Sequence, residues 1–305
     1  MCKLIVFTDL HILPEGGRII GLDPSERLRK GIAHVNLHHP DTHHVLFTGD
    51  LTHRGDVASY QRLRALLSEL RCPYSLLLGN HDQRENFLTV FPEAPLDGNG
   101  FVQQAIDINT DINTDINSDI DKGLAPHTGS TAAHDGARLL LLDTLFAPPY
   151  NFPDSYSGFL CAQRLDWLAQ QLASAGKRPV HIFMHHPPHA TGFVGMDAIA
   201  LKNGEAFYEL LLRHGNVRHI FAGHVHRTIS GTNHGIAFSV FKSPCHQQPM
   251  PFAAEDTTLS VDEPGAYGIV LLRPHGVLVH TEDYEIASPG TSGYRVVSGH
   301  DTAHV

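Results

Sequence analysis

Tyr74-Ser75-Leu76-Leu77-Leu78-Gly79-Asn80-His81-Asp82 passes from a short apolar run into a polar loop, and Gln83-Arg84-Glu85-Asn86-Phe87-Leu88 then reads as the first turns of a helix. A buried strand that ends in a glycine-led loop and continues as a helix puts that loop at the carboxyl edge of a parallel sheet, where α/β proteins hold their ligands. Asn80 offers an amide oxygen, His81 a ring nitrogen for proton transfer, and Gly79 lets the backbone turn beside both.

The same pattern recurs. Asp9-Leu10-His11 follows an apolar run at 3 to 8, Gly49-Asp50 one at 44 to 48, His185-His186 one at 180 to 184, and His224-Val225-His226 one at 218 to 222. In an extended segment alternate residues share a side, so both members of the Asp-x-His and His-x-His pairs can face one site. That suits two metal ions sharing a carboxylate. Oxygen plus imidazole without thiolate fits manganese, iron, cobalt or zinc.

Between these strand ends lie helix patterns at about 24 to 38, 56 to 70, 83 to 90, 162 to 173 and 204 to 213, the order expected of a repeated strand-helix architecture. Strand patterns recur at 101 to 108 and 138 to 143, and Ile229–Phe241 and Tyr267–Asp283 read as hairpins around Gly235 and Gly276. The Asp-Ile-Asn-Thr run that begins at Asp107 has a period of four, which gives neither a strand nor a helix a consistent face to bury. It is expected to be a surface insertion, at about 107 to 133, in a domain of residues 1 to 286; residues 287 to 305 lack apolar periodicity and are expected to form a flexible tail. The run lacks the glycine and glutamate positions of an EF-hand calcium loop.

Composition narrows the function. In a 305-residue chain, 42% apolar content supports a sizeable core, and a net charge of −10 opposes binding to nucleic acid backbones or anionic lipid. No apolar run approaches the roughly 20 residues of a membrane helix, and the first residues read as a strand without a signal-peptide pattern, so a cytoplasmic location is expected. Cys2, Cys72, Cys161 and Cys245 lack metal or disulfide spacing and read as free thiols.

Taken together, Asp9-Leu10-His11, Gly49-Asp50, Gly79-Asn80-His81-Asp82, His185 and Gly223-His224-Val225-His226 resemble the calcineurin-like metallophosphoesterases, with every motif in order over about residues 3 to 283. Gly49-Asp50-Leu51-Thr52, Leu142-Asp143-Thr144, His185-His186-Pro187-Pro188 and Ala200-Leu201-Lys202-Asn203 are similar to the branch holding class III cyclic-nucleotide phosphodiesterases and bacterial glycerophosphodiesterases. The resemblance implies an α/β sandwich of two mixed sheets flanked by helices. It implies one ion held by Asp9, His11, Asp50 and His226 and a second by Asp50, Asn80, His185 and His224, the two being divalent or mixed-valence. Hydrolysis of a phosphodiester P–O bond by a hydroxide between the ions would follow, with Asp50, Asn80 and His81 in the catalysis and His81 beside the leaving oxygen. A phosphomonoesterase and an inactive protein-binding scaffold are the alternatives, and a homo-oligomer is left open.

Other residues carry two readings each. Arg54 matches the arginine of a phosphatase Gly-Asp-x-Val-Asp-Arg-Gly loop, with His53 in place of the aspartate, and either reaches substrate phosphate or is solvated. His189 either lines the substrate entrance or faces solvent from a loop. His186 either supports the site or packs beside the proline pair, and Asp82 caps the following helix or orients His81.

Overall fold

The computed structural model describes residues 1–108, 136–146 and 156–285. In β1 (Cys2–Phe7) successive side chains go to opposite faces: Leu4 and Val6 join one apolar cluster, Ile5 and Phe7 another. This alternation repeats in the neighbouring strands and builds a sandwich of two mixed sheets flanked by helices. One sheet has the order β11 (Gly276–Asp283), β10 (Ala266–Arg273), β1, β2 (His44–Thr48), β3 (Tyr74–Leu77). The other runs β4 (Gln104–Ile108), β5 (Ala137–Leu141), β6 (Val180–Phe183), β7 (Val217–Ala222), β9 (Ile236–Val240), β8 (Ile229–Asn233).

Between the sheets lie Leu4, Val6, Leu46, Leu139, Phe183 and Phe221, all at most 1% exposed. Outside the first sheet, α1 (Pro24–His38) and α2 (Val57–Leu67) bury Leu28, Ile32 and Leu63 against Ile5, Phe7 and Phe47, with α3 (Arg84–Val90) adding Phe87. Outside the second, α4 (Ala162–Ala175) and α5 (Gly204–His214) pack Leu168, Leu172 and Phe207 on Ile182 and Ile220. Asp23 and Asp56 start α1 and α2 by accepting backbone N–H bonds from Ser25 and Ser59, each at 2.9 Å.

Strands β1, β2 and β3 are mutually parallel, as are β5, β6, β7 and β9, so their carboxyl ends bring the motif loops to one edge. Ile229–Phe241 contains the expected hairpin, but its return strand β9 pairs parallel with β7. The loop after β9 therefore opens on the same edge as the motif loops, a consequence that the hairpin pattern does not carry. Asp107 and Ile108, which the sequence places both in the strand pattern at 101 to 108 and in the repeat, belong to β4, where Asp107 pairs with Arg138 and Arg178 at 2.7 and 3.0 Å. The rest of the expected insertion and tail lies outside the described residues.

Asp143, just after β5, ties the layers together. Its fully buried carboxylate faces Arg84 of α3 at 2.7 Å and Arg164 of α4 at 3.6 Å, and accepts the backbone N–H groups of Val102 and Leu145 at 3.1 and 3.0 Å. Arg164 is itself only 1% exposed. Asp143→Ala leaves that guanidinium buried without its counter-charge and should destabilise the fold by about 3–5 kcal/mol in urea unfolding. A loss below about 1 kcal/mol would show that the pair is not holding the layers.

Candidate metal centre

Among the described residues, five of the seven non-glycine residues with positive φ are Asp9, His11, Asp50, His224 and His226, at 49 to 69°. Such left-handed backbone costs roughly 1–2 kcal/mol per residue and persists only where surrounding structure imposes it. Here the imposing structure is the meeting of the two sheet edges. A Cβ at Gly79 would run into the Asp50 carboxylate and lie 2.7 Å from His185 Nε2, and one at Gly223 would strike Thr8 and lie 2.8 Å from Asp9 Oδ2. Glycine at both positions lets the loops approach closely enough for their side chains to share one site.

The expected ligands converge in two groups joined by Asp50. On one side His11 Nε2 lies 3.1 Å from His226 Nε2, which is 3.3 Å from Asp9 Oδ1. On the other, His185 Nε2 lies 3.1 Å from Asn80 Oδ1, and the His185 and His224 rings meet at 5.2 Å. Asp50 Oδ2 stands 3.3 Å from His185 Nε2 and 3.7 Å from His11 Nε2, while its Oδ1 accepts the His81 backbone N–H at 2.8 Å.

The ring orientations fit metal ligation. His185 and His226 donate Nδ1–H to the carbonyls of Thr48 and His246 at 2.9 and 2.8 Å, which fixes the tautomer that turns the Nε2 lone pair inward. His224 Nε2 is buried with no hydrogen-bond partner, an orphan that a cation would satisfy. Burial opposes charge on His185, yet Asp50 and Asp9 beside it push its pKa up to about 9. His226 is raised by Asp9 against the same burial. Burial opposes charge on Asp50 too, but the neighbouring His185 and His81 hold it well below the usual carboxylate range. A proton on His185 thus balances the carboxylates in the ion-free protein, and a cation bound there would displace it.

Among the supporting groups, His186 engages both ring nitrogens, Nδ1 with Thr144 Oγ1 at 2.8 Å and Nε2 with Tyr156 O at 3.2 Å, and buttresses the rings of His185 and His224. Asp82 does not cap α3, whose first turn has Gln83 at its N-cap and no side-chain cap. Instead its buried carboxylate accepts from the N–H groups of Leu51, Thr52 and Gly79 and from Tyr60 Oη at 2.9 to 3.1 Å, which fastens the Asp50 loop to the Asn80 loop. Burial and then Asp50 push its pKa up to about 6, while every one of these partners is a donor suited to the ionised form.

A cavity of about 640 Å³ opens above the cluster, floored by His11, Asp50, Asn80, His81, His224 and His226. Its walls come from Ile19, Ile20, Met196, Ile199 and the segment Glu255 to Ser260. Arg54 is exposed and does not line it, and His189 turns to Tyr208 Oη at 2.8 Å and to the Phe238 ring, also away from it. Two further histidines do face the cavity. His53 stacks on His81 at 5.1 Å and meets His11 Nδ1 at 3.3 Å, and His246, in the loop after β9, lies 4.7 Å from the His226 ring. Their signal in the sequence was slight: each is a single histidine after a strand-like run, outside any paired spacing.

Residues 2–228 match the family described as calcineurin-like phosphoesterase. A Rhodopseudomonas palustris protein described as a probable cyclic nucleotide phosphodiesterase is 37% identical over 91% of each chain. A 3',5'-cyclic adenosine monophosphate phosphodiesterase of Pseudomonas aeruginosa is 28% identical over 80% of this chain and 76% of its own. Among solved structures, a dimetal phosphatase of Danio rerio superposes with a TM-score of 0.63 at 15% identity, over 92% of this chain and 95% of that one, a likeness of fold.

Loading the ion-free protein with manganese at pH 7.5 should release at least one proton per chain, because the His185 pKa lies near 9 in the ion-free state. Calorimetry in buffers of differing ionisation enthalpy reads this directly. Asp50→Asn should bind fewer than two ions per chain by elemental analysis. Proton-neutral loading, or full occupancy in the variant, would contradict the arrangement.

Proposed function

Because the chain belongs to the calcineurin-like phosphoesterase family, we propose that it is a binuclear-metal phosphodiesterase of the cyclic nucleotide type. The observation that carries this reading is the convergence of seven candidate oxygen and imidazole ligands from both sheets, five of which floor a nucleotide-sized cavity. The fold by itself would serve an enzyme or a scaffold equally, but a scaffold has no use for buried, unpartnered His224 Nε2 and strained ligand loops.

Asp9, His11, Asp50 and His226 would hold one ion and Asp50, Asn80, His185 and His224 the other. When bound, the ions supply charge against the phosphate and acidify the attacking water. The protein's own contribution lies in position. The Asp50–His81 backbone bond fixes the Asn80-His81 loop over the cluster. His81 donates Nδ1–H to His53 O at 2.9 Å, which leaves Nε2 free towards the cavity. A ring held in this way gives up a proton from Nε2 only when doubly protonated, so His81 would act as a cationic donor to the departing alkoxide. Ile19, Ile20, Met196 and Ile199 form an apolar wall suited to a nucleoside. No helix among the described residues is long and apolar enough to cross a membrane. A cytoplasmic location suits the four free cysteines.

The test is a panel of 3',5'-cyclic nucleotides, a glycerophosphodiester, an aryl diester and its monoester on manganese-loaded protein. Cyclic nucleotides should give the highest kcat/KM, and faster cleavage of the monoester than of the aryl diester would reject the diesterase reading. His81→Ala should lower kcat for the alkoxide-releasing substrate by roughly 10²- to 10⁴-fold and for the nitrophenyl diester far less, at unchanged metal content. Equal losses would remove His81 from leaving-group assistance.

A further inference from the structure

At the end of the sandwich opposite the metal cluster, a second cavity of about 710 Å³ opens between the sheets. It lies among the amino ends of β5, β6, β7 and β9 and the turn between β10 and β11. His181 sits four residues before His185 in the chain, about 13 Å away at 3.3 Å per strand residue.

This cavity is built of cations and imidazoles. Arg218, Arg273, His181, His219 and His275 line it, and among the described residues no carboxylate does. His181 and His219 are cross-strand partners, 4% and 9% exposed, at positions whose next neighbours on the same face are Phe183 and Phe221 of the apolar interlayer. A pair of histidines there costs burial of polar groups, and His181 Nδ1 has no hydrogen-bond partner. The register slips between Val180 and His181, so that Arg218 becomes the extra residue of a β-bulge, a device that re-aims a side chain at a sheet edge. Arg218 makes one long bond, to Gly215 O at 3.4 Å, and no ion pair involves Arg273 or His275 among the described residues. Leu272, Pro274 and Val277 supply an apolar wall.

We infer that this cavity is a second, non-catalytic binding site for an organic phosphate of nucleotide size. The two guanidinium groups would take the phosphate oxygens, since paired planar donors match that anion. The buried His181 imidazole, whose Nδ1 has no partner, would donate to it from within the interlayer, while His219 holds its Nε2 on Ser239 Oγ at 2.9 Å; Leu272, Pro274 and Val277 would cover the organic part. The inference stands apart from the proposed reaction, because it uses none of the residues placed at the metal cluster.

Equilibrium dialysis of the full-length, manganese-loaded protein against labelled adenosine 5'-monophosphate tests it. Wild type should retain one more nucleotide per chain than Arg218→Ala/Arg273→Ala, with a Kd at this site at least tenfold weaker in the single variant Arg273→Glu. The difference is the readout, so it does not depend on whether the metal cluster binds the same nucleotide. Both arginines are exposed, and kcat/KM should stay unchanged in the variants. Equal stoichiometry in wild type and the double variant would overturn the inference, as would equal retention of uncharged adenosine at the second site.

Discussion

Asp50 is the buried charge on which the two sheets close. At 2% exposure it accepts the backbone of the His81 loop from its own sheet and faces His185 from the other, so neither edge can withdraw without stranding a carboxylate. The close approach exists because Gly79 and Gly223 carry no side chain where the loops cross. Five ligand-loop residues are held in left-handed backbone as a result, about 5–10 kcal/mol in all at 1–2 kcal/mol each. The apolar interlayer opposes that strain, since each fully buried Leu or Phe contributes about 1.5–3 kcal/mol. Strain, burial and ligand geometry are therefore one arrangement, and the site's precision depends on a rigid sandwich beneath it.

Much of this was legible in the chain because the two signals coincide. Apolar runs of four to six residues end in Asp, Asn or His, and parallel pairing sends every such end to one edge; Phe7 before Thr8-Asp9 and Phe183 before Met184-His185 are examples. Helix positions followed from apolar periodicity, while the caps Asp23 and Asp56 set the first turns, Asp56 standing just outside the helix that the pattern begins with it. What stayed hidden was decided by pairing or by side-chain direction. His246 reaches the cavity because β9 lies parallel to β7, which no local pattern encodes. Loop composition does not determine which way Arg54 and His189 turn, and contacts to Tyr208 and Phe238 settle it for His189. Asp82 read by position as a helix cap or as an orienter of His81, yet five donors around it make it the fastening between two ligand loops.

The two ends of the sandwich use the same strands differently. The carboxyl ends of β6 and β7 lead into the candidate metal ligands His185, His224 and His226, and at the amino ends the same strands present His181, Arg218 and His219. Among the described residues carboxylates accompany the imidazoles only at the first end, a charge pattern that suits cations there and anions at the other.

The most direct measurement is a crystal structure of the manganese-loaded protein with anomalous diffraction. Two peaks about 3.5–4 Å apart are expected, with Asp50 between them, His11 and His226 on one and Asn80, His185 and His224 on the other. A single peak, or two ions held through His53, His186 or His246 in place of these ligands, would contradict the shared-carboxylate centre.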